Sequence, residues 1–422
     1  MIHLFSGLLI AEVAINQYES SSCNVPSSFK QFADVNFNSE SAGTTIATIS
    51  MMINMCVLAY DIIRGGEVMV LENQHFLSSF GIAGNDMAIN CASTMAAMSL
   101  ITLVGTQTSD TLSKISSICC ITLFISFAGL VVPGLASIHD PLGAFMTPGI
   151  YQNTDSFLPS LCAFAPIVLQ SMVYQNIVPT IAKMLNYDRS QVVPAITLGS
   201  LIPMMMFMSF CFVEIGSGGA ASSLSTGAVF MSGIKVSSLI GSAIAVTMSI
   251  SQEVELFISN DDKSMETTRD ALFKNDDVDD SYIDLMTIPS DKECLTDSSS
   301  ESKTLNLTSV MLSVLPPLLA GMYLAGGDGD GILAALSISG AYGTPLLYGV
   351  FPVLLALNQR YASSSTSEQH HERKNFSSFF GRSKKDEIKP IVPGGLVSLG
   401  VFGTGAIALM SDHLVHDIST LI

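Results

Sequence analysis

Five uncharged polar side chains fall inside one otherwise apolar stretch of the 422-residue chain, Phe164 to Thr180: Gln170, Ser171, Tyr174, Gln175 and Asn176. Amides and hydroxyls at this density supply hydrogen-bond donors and acceptors without fixed charge. Pro179 removes a backbone donor just beyond them, so the segment is expected to unwind and to offer main-chain amide and carbonyl groups to a small zwitterion. A kinked helix whose amides bond to neighbouring helices is the competing reading, and both stay open. Carboxylates at Glu12, Asp61, Glu214, Glu253 and Glu255 lie within or beside apolar runs, where an acid is a candidate for handling protons or ions.

The elements that must carry these residues are long apolar runs. The chain is 48% hydrophobic and 13% charged, with a mean hydropathy of +0.48, against about 25% charged in an ordinary soluble domain. A soluble enzyme is excluded on these grounds, and no catalytic residue is assigned. Stretches of roughly 20 residues, enough to cross a bilayer core, run approximately 1 to 16, 43 to 63, 86 to 106, 115 to 137, 157 to 182, 192 to 213, 236 to 258, 306 to 325, 331 to 357 and 391 to 410. The fold class expected is all-α, a polytopic helix bundle integral to a membrane. Basic residues test the count: 16 of the 18 Lys and Arg fall in loops after odd-numbered spans, and Arg64 and Lys235 alone on the other face. The positive-inside rule then places the odd loops in the cytosol or an equivalent compartment. Plastid, plasma and vacuolar membranes fit equally.

Two polar segments interrupt the bundle. Residues 260–303 hold 13 of the 36 acids, which accounts for much of the net charge of −18, and are expected to form a disordered cytosolic loop between spans one to seven (1–259) and spans eight to ten (304–422). Residues 361–390 turn basic (Arg373, Lys374, Arg382, Lys384, Lys385) and suit a second solvated loop facing anionic lipid headgroups. An acidic chain repels nucleic acid, and none is expected as a partner.

Several motifs carry no site. Tyr60-Asp61 with Gly327-Asp328-Gly329-Asp330 pairs two carboxylates of the kind that share a proton to activate water in intramembrane aspartyl proteases. Six spans separate them, however, and Asp330 falls in a Gly-rich turn. Gly216-Ser217-Gly218-Gly219 lacks the Gly-Lys-Ser/Thr of a phosphate loop. The eight cysteines form no C-x-x-C pair, so neither a disulfide framework nor a metal site is expected, and no cofactor is assigned.

Val173-Tyr174-Gln175-Asn176-Ile177-Val178-Pro179-Thr180, then Asp188-Arg189-Ser190, then Leu198-Gly199-Ser200-Leu201-Ile202-Pro203 resembles, in order, the sixth helix, basic loop and seventh helix of the aromatic amino acid (tryptophan/tyrosine) permeases and their plant and algal relatives. Leu8 to Val13, Met51 to Glu67, Leu315-Pro316-Pro317-Leu318 and Gly340-Ala341-Tyr342-Gly343 are similar to other helices of that family. The resemblance implies a leucine-transporter-like inverted repeat of eleven helices and proton-coupled uptake of an aromatic or neutral amino acid between discontinuous helices. Ten spans equal those eleven less the first, so the first helix is expected to be missing. Residue by residue, the resemblance places Ser171, Tyr174, Gln175 and Asn176 at the sixth-helix break, Asn54 on the third helix, and Thr247 and Ser251 on the eighth. Gln175 stands where relatives usually carry His, and glutamine does not titrate. The expected partners are an amino acid substrate, protons and membrane lipid. A permease relative that does not transport and serves as a sensor or interaction protein, or an incomplete gene model, is the alternative.

Overall fold

The computed structural model describes residues 2–20, 29–37, 39–72, 86–138, 170, 173–216, 225–273, 305–325, 330–361, 390–393 and 395–421. In chain order the helices are α1 (Ile2–Ser20), α2 (Phe29–Phe37), α3 (Glu40–Glu72), α4 (Asp86–Thr106), α5 (Ser109–Ser137), a 3-10 turn (Gln175–Ile177), α6 (Val178–Met184), α7 (Arg189–Gly216), α8 (Ser225–Phe273), α9 (Leu307–Ala325), α10 (Asp330–Ile338), two π-helical turns (Ser339–Gly343 and Leu346–Val350), α11 (Phe351–Tyr361) and α12 (Gly395–Leu421). No strand occurs among the described residues.

Eight helical segments among the described residues are long and apolar enough to cross a membrane, from Ser41–Leu71 to Gly395–Val415. Helix α5 turns Ile118, Ile121 and Ile125 outward, and α12 does the same with Val397 and Val401. Faces this apolar and this exposed belong against lipid. The chain is thus an all-α, multi-pass integral membrane protein.

Against the ten expected spans, eight coincide with these segments. Helix α1 occupies the first, but it is buried in protein rather than lipid: Leu9, Ile10, Ala11, Val13 and Ala14 have no exposed surface. That burial accommodates its His3, Glu12, Asn16 and Gln17, which lower its hydropathy. Of the fifth, residues 157–169, 171 and 172 lie outside the described residues.

Helix ends depart from the expected limits in a regular way. Hydropathy stops a span at the first polar cluster, whereas backbone hydrogen bonding carries α3 on to Glu72 and α8 on to Phe273. The acidic segment expected to begin as a loop at 260 is therefore helical through residue 273. Residues 274–304 and 362–389 lie outside the described residues. Helix α2 also stands where a connecting loop was expected. It buries Phe29, Phe32 and Ala33, three and four residues apart, on one face.

Two hydrophobic cores organise the bundle. The first joins α1, α2, α6, α7, the second π turn, α11 and α12, through residues such as Ile10, Phe32, Val178, Ile196, Tyr348 and Leu399. The second joins α3, α4, α5, α8 and α9 through Leu58, Val104, Leu112, Ile244 and Val314. Helix α3 belongs to both, giving Ile53 to the first and Leu58 to the second. The five described cysteines, Cys56, Cys91, Cys119, Cys120 and Cys211, are free thiols.

A polar cluster at two helix breaks

The segment before α6 is not helical at Val173 and Tyr174; Tyr174 has φ −132° and ψ −2°. A single 3-10 turn follows, and α6 starts at Val178 with Pro179 in its first turn, where the missing N–H leaves no helical bond unmade. Gln175 folds back to accept the Tyr174 N–H on Oε1 at 3.0 Å. The expected unwinding is present, and the side chains around it bond both to each other and to neighbouring helices.

The second break is a widening within one span, Gly331–Arg360. Between α10 and α11 the chain passes through two π-helical turns separated by Thr344-Pro345, and Pro345 removes the backbone donor that would continue a regular helix. Turns widened to i→i+5 bonding are uncommon inside α-helices and concentrate at functional sites. Gln170 ties the two breaks together: its Oε1 accepts the hydroxyls of Ser339, at 3.3 Å, and Thr344. Its Nε2 is buried without a partner among the described residues.

Asn176 is the hub. It donates Nδ2–H to Asn54 Oδ1 on α3 at 2.7 Å, and its Oδ1 accepts the Tyr348 hydroxyl at 2.6 Å. Asn54 and Tyr348 are both buried, so these bonds form where water does not compete for them. Asn54 follows Ile53, through which α3 joins the first core, so the Asn54–Asn176 bond ties α3 to the first break.

Tyr174 and Gln175 meet α1. The Tyr174 hydroxyl donates to the His3 carbonyl at 3.0 Å and accepts from Ser200 on α7. Gln175 Nε2 lies 2.7 Å from His3 Nδ1. Since Gln175 Oε1 is engaged with a backbone N–H, Nε2 must be the donor, and His3 Nδ1 the acceptor. His3 then carries its hydrogen on Nε2, which is buried and has no partner among the described residues. Gly7, one turn along α1, lies under the phenol: a Cβ there would come within 2.6 Å of the Tyr174 hydroxyl oxygen.

Beside this cluster is a cavity of about 380 Å³, lined by His3, Thr344, Tyr348 and apolar residues including Pro345 and Phe402, and open toward the outward face of α12 at Val401. That volume falls within the range that takes small organic ligands, and apolar walls with a few placed polar groups are what such sites use.

The expected site residues divide accordingly. Tyr174, Gln175, Asn176 and Asn54 converge, and Ser171 lies outside the described residues. Ser251 bonds Ser313 on α9 at 3.0 Å, a cross-helix contact within the second core. Thr247 is fully buried on the same helix, its hydroxyl without a partner among the described residues. Sequence reasoning missed His3, Ser200, Ser339, Thr344 and Tyr348. His3 is a lone polar residue in an apolar run, and Pro345 with Gly340, Gly343 and Gly349 marked the second break in the way that Pro179 marked the first.

No curated protein matches the chain. The model of the tryptophan/tyrosine permease family matches residues 1–259, more than half of the chain and the part that contains α1, α3 and the first break. By that match and by its fold, the chain belongs to the tryptophan/tyrosine permease family.

Proposed function

We propose that the protein is a secondary active transporter of amino acids, aromatic or neutral in side chain and driven by a proton gradient. Membership of a permease family supports amino acid transport as such. The observation that carries the finer reading is the meeting of two helix breaks at Asn176, beside an apolar cavity. The amides and hydroxyls at the breaks suit the charged α-groups of an amino acid, and the cavity suits its side chain. Ser171, Tyr174, Gln175, Asn176 and Asn54 are the proposed contacts, with Thr247 and Ser251 on the adjoining helix. Rocking one bundle against the other around this site opens it to alternate sides.

Uptake of radiolabelled tryptophan, tyrosine and leucine into proteoliposomes, with and without an inward proton gradient, tests the reading. Saturable uptake stimulated by the gradient is expected, and Tyr174→Ala is expected to weaken it by removing a wall of the site. Folded protein that takes up none of the three overturns the proposal.

A further inference from the structure

The buried acids among the described residues are Glu12, Asp61 and Glu253. A carboxylate in a membrane interior must be paired with a cation or carry a proton, because an isolated charge there is too poorly solvated to persist. Two of the three have their cation. Glu12 is locked to Arg360 at 2.6 Å. Glu253 accepts the Phe29 backbone N–H and lies within electrostatic reach of Lys30, itself 3% exposed on α2 with its ammonium 5.4 Å from the Phe257 ring.

Asp61 differs. It is 7% exposed, eleven residues before the end of α3, with Leu58 and Ile62 of the second core on either side. One carboxyl oxygen bonds Ser242 on α8, while Oδ2 is buried with no partner among the described residues. Among the described residues, the elements packed against this part of α3 place no free cation beside it. On α3 itself, Arg64 is exposed and bound to Glu67 and Tyr60. Helix α8 carries Lys235, exposed and two turns from Ser242, while Lys263 and Arg269 stand 21 and 27 residues beyond Ser242 on the same helix. The other titratable side chains described on α3, α4, α8 and α9 (Cys56, Tyr60, Cys91, Glu253, Glu255 and Tyr323) carry no positive charge. Helix α9 closes over the site, since a Cβ on Gly321 would come within 2.9 Å of Ile63 and 3.3 Å of the Ala59 carbonyl oxygen.

We infer that Asp61 is the proton-binding carboxylate of this transporter, set in the second core apart from the polar cluster that holds the substrate. The inference rests on the transport reading above for its role, and on α3 for its connection: Asp61 lies two helical turns from Asn54, about 10 Å along one rigid helix. The step involves a single bond. A proton from water on one side forms an O–H bond at Oδ2 while Ser242 holds the other oxygen; the bond breaks on release to water on the other side.

Purified protein in proteoliposomes gives two independent readouts, with Asp61→Asn as the variant, Asp61→Glu as its conservative partner and Glu253→Gln as the contrast. The first is infrared difference spectroscopy of protonated carboxyl groups during a pH titration, which requires no transport. Asp61→Asn is expected to lose one protonated-carboxyl band that Glu253→Gln keeps. The second compares tryptophan counterflow, which moves no net protons, with gradient-driven accumulation. Asp61→Asn is expected to keep counterflow within about twofold of wild type and to lose gradient stimulation, and Asp61→Glu to restore it. An unchanged infrared band, or wild-type gradient stimulation in Asp61→Asn, overturns the inference. If wild-type protein shows no counterflow of any substrate, the transport reading fails, and the infrared result still decides whether Asp61 binds a proton.

Discussion

Glu12→Gln is expected to destabilise the protein by about 3–5 kcal/mol, the scale for removing one partner of a buried ion pair. Glu12 and Arg360 have side chains 0% and 7% exposed. Arg360 Nε reaches Oε1 and Nη2 reaches Oε2, each at 2.6 Å. Oε2 also accepts the N–H groups of Ile391 at 2.6 Å and Val392 at 3.2 Å, so one carboxylate fastens α1 to the end of α11 and to the turn before α12. Glutamine keeps the shape but has a single acceptor oxygen, and its NH2 opposes either the guanidinium or a backbone N–H. What then faces the arginine charge is the Val392 carbonyl at 3.3 Å, a dipole in place of an ion. Arg360→Met leaves the carboxylate with its two backbone donors and is expected to cost less. The double variant Glu12→Leu with Arg360→Met removes both charges and is expected to be more stable than Glu12→Gln alone. Unfolding in mixed micelles, followed by circular dichroism because the chain has no tryptophan, measures all of them. Additive single-variant effects, or a Glu12→Gln effect below about 1 kcal/mol as at an exposed pair, would refute the reasoning.

Gly7→Ala is expected to push the Tyr174 phenol off the His3 carbonyl and Ser200, given the 2.6 Å approach. Overpacking of this kind costs about 1–3 kcal/mol, and substrate affinity is expected to fall while Gly65→Ala, which meets nothing within 4 Å, leaves it unchanged; equal affinities for the two variants would count against the contact. Gln175→His puts a titratable ring where a fixed amide now stands beside His3, and uptake is expected to gain pH dependence near neutrality; identical pH profiles in variant and wild type would remove this position from proton handling. Asp188, in the turn between α6 and α7, accepts from the Ser190 hydroxyl and N–H and from Gln191, and the Ser190 bonds chiefly hold its carboxyl below the usual range. A lowered folded-state value means stabilisation that is complete above the unfolded carboxyl's titration and is lost as pH falls through the folded one. The melting-temperature deficit of Asp188→Asn is therefore expected at neutral pH and to vanish in acid, and a deficit constant with pH would contradict this.

Spans were legible because bilayer thickness imposes a length on apolar runs, and α4 fills residues 86–106 as its composition requires. Helix ends were not, since a helix in water continues as long as its own hydrogen bonds hold, as α8 does to Phe273. Helix α2 was hidden for a different reason: nine residues with a lysine and an aspartate read as a loop, and neighbours far along the chain, α11 and the second π turn together with α3, give Phe29 and Phe32 something to bury against. Within the site, Pro179 and its polar neighbours exposed the first break, because proline acts locally on its own helix. Partners were out of reach, because no local rule relates His3 to Gln175 across 172 positions.

The expected site residues differ from one another in what surrounds them. Ser251 and Asn54 are both short, polar and buried mid-helix. Ser251 faces Ser313, a hydroxyl on the next helix of the same core, and two such groups satisfy each other with nothing left over. Asn54 faces Asn176, whose own oxygen is already engaged by Tyr348, so that three side chains from α3, the first break and the second π turn depend on one another. Truncating Asn176 would leave the Asn54 carbonyl and the Tyr348 hydroxyl both buried and unmatched, at about 1–3 kcal/mol each. Truncating Ser251 strands one hydroxyl that already bonds its own helix, Ser313 to the Ser309 carbonyl at 2.7 Å. A polar group on a regular helix can be satisfied within its core; one at a break has to be satisfied from elsewhere, and here that draws α3 and both interrupted helices to a single asparagine.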